Sequence, residues 1–167
     1  HTYTAAGSYT VSLTISDGSN NDVESKPDFI VVEKADQSIS FEPLASKAFG
    51  DADFELSATS SSGLAVSYAS SDLSVATIDG STVTLVGVGT TSITASQAGN
   101  DNYNAAPDVS QTLTIEKADQ TITFADIPDQ PLRNGQLVLT ATASSGLDVS
   151  YTISEGPATV NGSTVTF

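Results

Sequence analysis

One stretch of this sequence occurs twice, the first copy beginning at position 33 and the second at position 116. The exchanges between the copies are mostly Ser for Thr, Ile for Val and Asp for Asn, which keep the alternation of a strand and the backbone preference of a turn. A repeat of this length indicates one unit that folds in the same way twice. The chain therefore contains several domains, although a typical single domain has about 150 residues. The repeated stretches are Glu33–Phe41 with Glu116–Phe124, Leu56–Tyr68 with Leu139–Tyr151, and Asp79–Thr84 with Asn161–Thr166.

Apolar side chains alternate with Ser and Thr throughout the repeat, as where Ile39 and Phe41 flank Ser40. An alternation of period two places the apolar residues on one face of a strand. About seven such short strands in about 80 residues fit an immunoglobulin-like sandwich, in which each of two sheets buries one face. Ser and Thr make up more than a quarter of the chain, and long helix-forming stretches are absent from the sequence. The sequence therefore predicts an all-β protein.

Two dipeptides predict tight hairpin turns, Asp79-Gly80 and Asn161-Gly162. Both residue types tolerate the positive φ that the two central positions of a type I′ turn require. Asn100–Asn104 is predicted to be a long polar loop before the last strand of the first copy.

The stretch before the repeat predicts a separate two-stranded hairpin. Apolar residues alternate with Thr and Ser from Tyr9 to Ile15, a polar turn follows, and Phe29–Val32 forms the return strand. Two strands alone are marginally stable in water, so this hairpin needs an upstream half-domain or a partner to cover its apolar side chains. The linkers that follow the hairpin and the first copy are short and contain neither Gly nor Pro. They predict an elongated array with limited bending between modules.

The charge of the chain excludes several classes of function. Asp and Glu number 20 against 5 Lys and Arg, which gives a formal net charge of −15. Such a surface repels nucleic acid and anionic headgroups, so we expect no nucleic-acid partner and no membrane insertion. The sequence has no Cys, and its single His is His1, so disulfides, thiolate chemistry and most zinc or general-base chemistry are not available. We therefore expect no catalytic residues, no enzymatic activity and no organic cofactor.

Two family resemblances cover nearly the whole chain. Residues 1–33 resemble the C-terminal half of a PKD (polycystic kidney disease) domain, through His1-Thr2-Tyr3 and Gly7–Gly18. Residues 34–116 resemble a bacterial immunoglobulin-like domain, and residues 117–167 resemble the N-terminal part of a second one. The resemblance implies tandem immunoglobulin-like β-sandwiches in an elongated array, with the first and last modules incomplete. The matching stretches of the repeat are Ser61–Tyr68, Ile93–Gly99 and Gln120–Phe124.

These resemblances imply extracellular modules of a large protein at the bacterial cell surface, without catalytic activity of their own. They favour a structural or adhesive stalk, and they leave two alternatives open. One is a carbohydrate-binding accessory module of a secreted enzyme. The other is a filament subunit, in which the hairpin of one chain supplies the strands that the last module of another chain lacks. We expect the sequence to be an excerpt of a longer polypeptide whose neighbouring modules, other copies or surface glycans are its partners.

Acidic turns are the candidate metal sites, and calcium is the candidate ion. Asp17 and Asp22 share one turn, and Asp51 and Asp53 share another. Asp101 lies in a third turn. Calcium prefers six to eight oxygen ligands, which such loops can offer, although none of these has the spacing of an EF-hand. The alternative is that these residues are solvated turn formers, since Asp and Asn are frequent in turns.

One aromatic residue is a candidate for ligand contact. Tyr103 lies in the polar loop, where an exposed ring could stack on a sugar. Tyr68 and Tyr151 occupy equivalent positions on the apolar face of the repeat, so we expect both in the core. His1 is expected to pack beside Tyr3 and not to act as a base.

Overall fold

The computed structural model describes residues 1–130 and 135–167. Within these ranges every regular element is a β-strand, so the predicted all-β class is confirmed. Residue contacts divide the chain into two compact units, His1–Lys117 and Ala118–Phe167. The described residues include no helix with the length and hydropathy that crossing a membrane requires.

The first unit begins with a hairpin of two long antiparallel strands, β1 (Gly7–Ser16) and β2 (Asn21–Val32). A shift in register after Tyr9 marks one irregularity in an otherwise continuous ladder. Side chains of a strand point alternately to its two faces, so the apolar residues of β1 gather on one face. Leu13 on that face is 64% exposed.

The rest of the first unit contains nine strands arranged in more than one sheet. They are β3 (Ile39–Ser40), β4 (Lys47–Ala48), β5 (Phe54–Glu55), β6 (Thr59–Ser60), β7 (Ser67–Ser70), β8 (Ala76–Asp79), β9 (Thr82–Leu85), β10 (Gly89–Ser96) and β11 (Val109–Glu116). Four of them form a sheet in the order β4-β11-β10-β7. The others form a three-stranded sheet, β5-β9-β8, and the pair β3-β6. The pairing is antiparallel except between β4 and β11, which run parallel.

The core of this part lies between the four-stranded sheet and the other strands. Ile93 and Leu113 of the four-stranded sheet and Val83 of β9 are fully buried in one cluster. Burial of each such side chain stabilises the fold by roughly 1.5–3 kcal/mol, which is why the period-two pattern produces this layering. Tyr68 packs against the same cluster, and its hydroxyl accepts a hydrogen bond of 2.7 Å from the amide of Ala58.

The turn between β8 and β9 is centred one residue later than the sequence predicted. The ladder continues by one more pair, Asp79 with Thr82, so Gly80 and Ser81 form the two-residue loop. Of these two residues only Gly80 has a positive φ, 61°, which fits a type II′ turn and not the predicted type I′. The second copy repeats this arrangement, with Gly162 at the first central position of its turn.

The second unit contains five strands within its described residues. They are β12 (Ile122–Phe124), β13 (Gln136–Val138), β14 (Ala141–Ala143), β15 (Thr159–Asn161) and β16 (Thr164–Thr166). β12 pairs with β14, and β13-β16-β15 form a sheet, as their equivalents β3-β6 and β5-β9-β8 do in the first copy. The hydroxyl of Tyr151 accepts a hydrogen bond of 2.8 Å from the amide of Ala141. Its ring lies 5.8 Å from that of Phe124, the same distance as between the equivalent rings of the first copy.

One face of the second unit is exposed where the first copy is covered. Phe124 is 49% exposed, whereas its equivalent Phe41 is 7% exposed. In the first copy this face packs against β10 and β11, and the residues 118–130 and 135–167 form no equivalent of that strand pair. In the first copy, residues 67–70 form β7 because they pair with β10. The equivalent residues 150–153 have no such partner strand among the described residues, and they form no strand.

Candidate functional site

The segment between the hairpin and the sandwich of the first unit is held by a loop of that sandwich. We define the joint as the linker Glu33–Gln37 together with the loop Gln97–Asn104. The amide of Ala35 donates to the carbonyl of Asn102 at 2.8 Å, and the amide of Asn104 donates to the carbonyl of Ala35 at 2.9 Å. These bonds form a parallel bridge, so the linker and the loop run side by side at this point.

Both strands of the hairpin are attached to the same loop. Nζ of Lys34, which follows β2, donates to the carbonyl of Asn100 at 2.7 Å. The amide of Ala6, which precedes β1, donates to Oδ1 of Asn102 at 2.8 Å. Because the attachments flank the hairpin on both sides, rotation about the linker alone would break one of them.

The loop has a shape that its own hydrogen bonds fix. Oδ1 of Asn100 accepts hydrogen bonds from the amides of Asn102, at 2.8 Å, and Tyr103, at 2.9 Å. Gly99 has a φ of +78°, and a Cβ at this position would lie 2.3 Å from the carbonyl oxygen of Tyr103. Only glycine allows the backbone to return this closely to itself. A loop ordered in this way loses less conformational entropy when the linker binds to it.

A buried glutamine anchors the linker to the sandwich. Nε2 of Gln37 donates to Oε1 of Gln97 at 2.6 Å and to the carbonyl of Asn104 at 2.7 Å. Oε1 of Gln37 accepts a hydrogen bond of 2.5 Å from the hydroxyl of Ser62. A buried amide without partners costs about 1–3 kcal/mol, so these contacts favour one arrangement of the linker over others. Nδ2 of Asn104 also donates to Oδ1 of Asp36, at 2.8 Å.

The calcium candidate Asp17 belongs to the hairpin turn, where its oxygens have local partners. Its Oδ1 accepts hydrogen bonds from the amides of Asn20, at 2.7 Å, and Ser19, at 2.9 Å. The amides of Asn20 and Ser19 hold the pKa of Asp17 below its ordinary value. Asp17 therefore stabilises the turn in its ionised form, as Asp does in Asx-turns.

The candidates Asp51 and Asp53 also have separate partners. Oδ2 of Asp51 accepts a hydrogen bond of 2.9 Å from the amide of Ala48, and Oδ2 of Asp53 accepts one of 2.8 Å from the hydroxyl of Thr84. Each carboxylate thus fixes a connection between strands of the first sandwich.

The remaining acidic candidates are far apart, one beside the turn of the hairpin and the other in the loop of the joint. Asp22 lies in β2 opposite Ile15, next to the turn. Asp101 lines a cleft of about 460 Å³ at the joint, together with Lys34. Across residues 1–130 and 135–167, His, Asp and Glu side chains form no group of three or more that could hold a metal ion.

Tyr103, the candidate for ligand contact, is half-buried in the joint. Together with Tyr3 it lines a shallow cleft of about 210 Å³. His1 packs edge-on against Tyr3 with ring centroids 4.8 Å apart, as expected from the sequence. The structure therefore places this aromatic candidate beside the linker, next to a second tyrosine that sequence reasoning did not select.

Sequence reasoning missed the polar residues that build the joint. One signal was available, because Glu-Lys-Ala-Asp-Gln is identical in both linkers while the strands beside it exchange Ser for Thr. Such identity indicates that Lys34 and Gln37 have specific partners. Asn102 carried no comparable signal, since its contact with Ala6 joins residues 96 positions apart.

Comparison with known protein families, with curated proteins and with solved structures finds no match to this chain.

Proposed function

We propose that this chain is a non-catalytic structural segment of an extracellular bacterial surface protein, built from a PKD-like hairpin and immunoglobulin-like modules. Its role is to extend and present the modules beside it, as a stalk or adhesive arm does. The observation that carries this proposal is the joint, where the residues that flank the hairpin on both sides, Ala6 and Lys34, are hydrogen-bonded to one loop of the sandwich. A stalk needs such a connection, because a free linker would let neighbouring modules swing.

The strand order of the sandwich supports a load-bearing role. β4 lies early in the module and β11 lies at its end, and the two are paired in parallel through Lys47 with Ile115 and Ala48 with Glu116. The amide of Phe49 adds a hydrogen bond of 2.8 Å to the carbonyl of Glu116. Tension on the two ends of the module would pull these parallel strands along their axes in opposite directions. Their hydrogen bonds would then resist together and would not open one after another.

Force spectroscopy on the full chain tests this role. When the chain is held by its two ends, residues 34–116 should unfold in one discrete step. The length gained should be at most about 280 Å, from about 3.4 Å per extended residue. Gradual lengthening without such a step would contradict a load-bearing module, because unfolding under force is governed by the height of the unfolding barrier.

Residual dipolar couplings measured by NMR test the joint itself. In the wild-type chain, the hairpin and the first sandwich should fit one common alignment. The double substitution Asn102→Ala with Lys34→Ala removes one attachment on each side of the hairpin. The hairpin should then align independently of the sandwich.

The matched control places the same two kinds of substitution away from the joint, as Asn20→Ala beside the turn with Lys26→Ala in the middle of β2. This control should leave the common alignment intact. If the joint variant also keeps it, the two attachments do not hold the hairpin in place, and the observation that carries the proposal is lost.

A further inference from the structure

The turn between β15 and β16 carries an Asn-Gly pair whose side-chain amide has no structural role. Asn161 pairs with Thr164 at the end of the ladder, and Gly162 and Ser163 form the loop. Asn161 is exposed, and its side-chain amide forms no hydrogen bond with any residue that the structure describes. Asn is a thermolabile residue, because its side-chain amide can be lost by hydrolysis.

The other asparagines of residues 1–130 and 135–167 are placed differently. Asn21 is followed by Asp22, whose side chain shields the backbone amide between them. Gly162 has no side chain, so its backbone amide is open to approach by the side chain of Asn161. Asn161 is thus the one described Asn that combines an unbonded side chain with a following glycine. The side chains of the remaining four all form hydrogen bonds: Asn20, Asn100, Asn102 and Asn104.

The reaction that such a pair undergoes is deamidation through a cyclic imide. The backbone nitrogen of Gly162 loses its proton and forms a bond to Cγ of Asn161, while the Cγ–Nδ2 bond breaks and ammonia leaves. Water then opens the ring. Attack of water at Cγ leaves aspartate at position 161, and attack at the backbone carbonyl carbon leaves isoaspartate. The balance is one water consumed and one ammonia released, without an oxidant or a cofactor.

The position of the turn in its sheet makes this reaction accessible to the folded protein. Ring closure requires the backbone of Asn161 to leave its extended conformation, so the local pairing must open first. β15 has three residues and lies at the edge of the sheet β13-β16-β15, as its equivalent β8 lies at the edge of β5-β9-β8. Short elements at an edge open locally at a smaller free energy than global unfolding requires.

The first copy of the repeat shows that the aspartate product fits this turn. Asp79 occupies the position of Asn161 and closes a turn of the same register. The glycines that follow have nearly the same φ, 61° in Gly80 and 58° in Gly162. Replacement of the amide by a carboxylate therefore leaves the type II′ turn intact.

We propose that Asn161 is a site of spontaneous deamidation, which converts the Asn-Gly turn of the second copy into the Asp-Gly turn of the first. Each conversion adds one negative charge to a chain whose formal net charge is already −15. The modification accumulates with time and needs no enzyme, so it distinguishes old molecules from new ones. It goes beyond the stalk role and does not depend on it.

Peptide mapping of the full chain tests the site. The protein is incubated in mildly alkaline buffer, which favours loss of the amide proton, and is then cleaved after glutamate. Cleavage after Glu155 yields residues 156–167, in which Asn161 is the only asparagine. This peptide should gain the mass difference between an amide and a carboxylic acid and should separate into aspartate and isoaspartate forms. Its conversion should be about tenfold or more faster than that of residues 1–24, whose two asparagines lack a following glycine.

Gly162→Ala isolates the ring-closing step. The new Cβ would meet nothing within 4 Å, but it would shield the attacking nitrogen. Alanine also strains a turn with a φ of 58°, and a looser turn alone would speed the reaction. Conversion slower by about tenfold or more would therefore report the shielding and not the strain. The matched control Gly80→Ala strains the equivalent turn of the first copy and should leave conversion at Asn161 unchanged.

Asn161→Asp tests whether the product fits the fold. Hydrogen exchange of its β15–β16 amides should match that of the wild type, as the turn at Asp79 predicts, and markedly faster exchange would show that the turn does not accept the product. The site itself would be disproved by conversion no faster than in residues 1–24. Equal conversion in Gly162→Ala and the wild type would disprove it as well.

Discussion

Gln37→Ala is a direct test of how the joint stabilises the first unit. The substitution removes the hydrogen bonds of the side chain with Gln97, the carbonyl of Asn104 and the hydroxyl of Ser62. Gln97 and Ser62 each keep a second partner, and Asn104 is exposed, so water can replace the donor that its carbonyl loses. The loss is therefore that of the three hydrogen bonds themselves, each with a net contribution of about 0.5–1.5 kcal/mol. We expect the free energy of unfolding of the first unit to fall by about 2 kcal/mol.

Native-state hydrogen exchange measures this loss at the place where it arises. The amides of the β10–β11 ladder report on opening of the first sandwich, and a loss of about 2 kcal/mol should speed their exchange about 30-fold. A local measurement is needed because the chain contains two units, and a single melting transition would combine them.

Gln120→Ala is the matched control, since Gln120 occupies the same position in the second copy. Gln120 is exposed and accepts a hydrogen bond from the hydroxyl of Ser145. Its loss should change stability by less than about 0.5 kcal/mol, which is about twofold in exchange. Unchanged exchange of the β10–β11 ladder in Gln37→Ala would refute the anchoring role, and so would equal acceleration by both variants.

Two further substitutions test the loop and the acid dependence of the first unit. Gly99→Ala should speed the exchange of the β10–β11 amides by about 5- to 150-fold, which corresponds to about 1–3 kcal/mol, because the new Cβ would meet the Tyr103 carbonyl in a backbone conformation unfavourable for alanine; unchanged exchange would contradict this. Hydrogen bonds from the hydroxyls of Ser81 and Thr82 hold the pKa of Glu55 below its ordinary value. The ionised carboxylate therefore stabilises the fold at any pH above the ordinary pKa. This stabilisation is lost as the pH falls through the lower pKa of the folded state. Urea midpoints of the first unit, followed through the NMR signals of the β10–β11 amides at pH 7 and pH 3, should therefore differ less for Glu55→Gln than for the wild type, and an equal difference would contradict the assignment.

The strands could be predicted because burial between sheets imposes an alternation that the sequence displays directly. Val83, Ile93 and Leu113 all follow it, and all three are buried in one cluster. The repeat added a second check. Tyr68 and Tyr151 were expected to pack on the apolar face, and both accept a backbone hydrogen bond beside a phenylalanine ring.

The remaining features depend on contacts that no local pattern encodes. Phe124 is exposed because no strand pair among the described residues packs over it, whereas β10 and β11 cover Phe41; the segments around the two residues are nearly identical. The turn between β8 and β9 is centred one residue later than the sequence predicts, because one more cross-strand pair, Asp79 with Thr82, extends the ladder. The joint brings residues from three distant parts of the sequence together, so residue types alone did not identify it.

The joint also has a consequence for the order of events during synthesis. The linker ends at position 37, whereas the loop that holds it ends at position 104. At about 5–20 residues per second, the ribosome makes the intervening stretch in roughly 3–13 s. During that interval the hairpin exists without its attachment, and Leu13 and its neighbours are accessible to chaperones or to other nascent chains. In an array of such modules, each module would thus become attached to the preceding module only after its own last loop has left the ribosome.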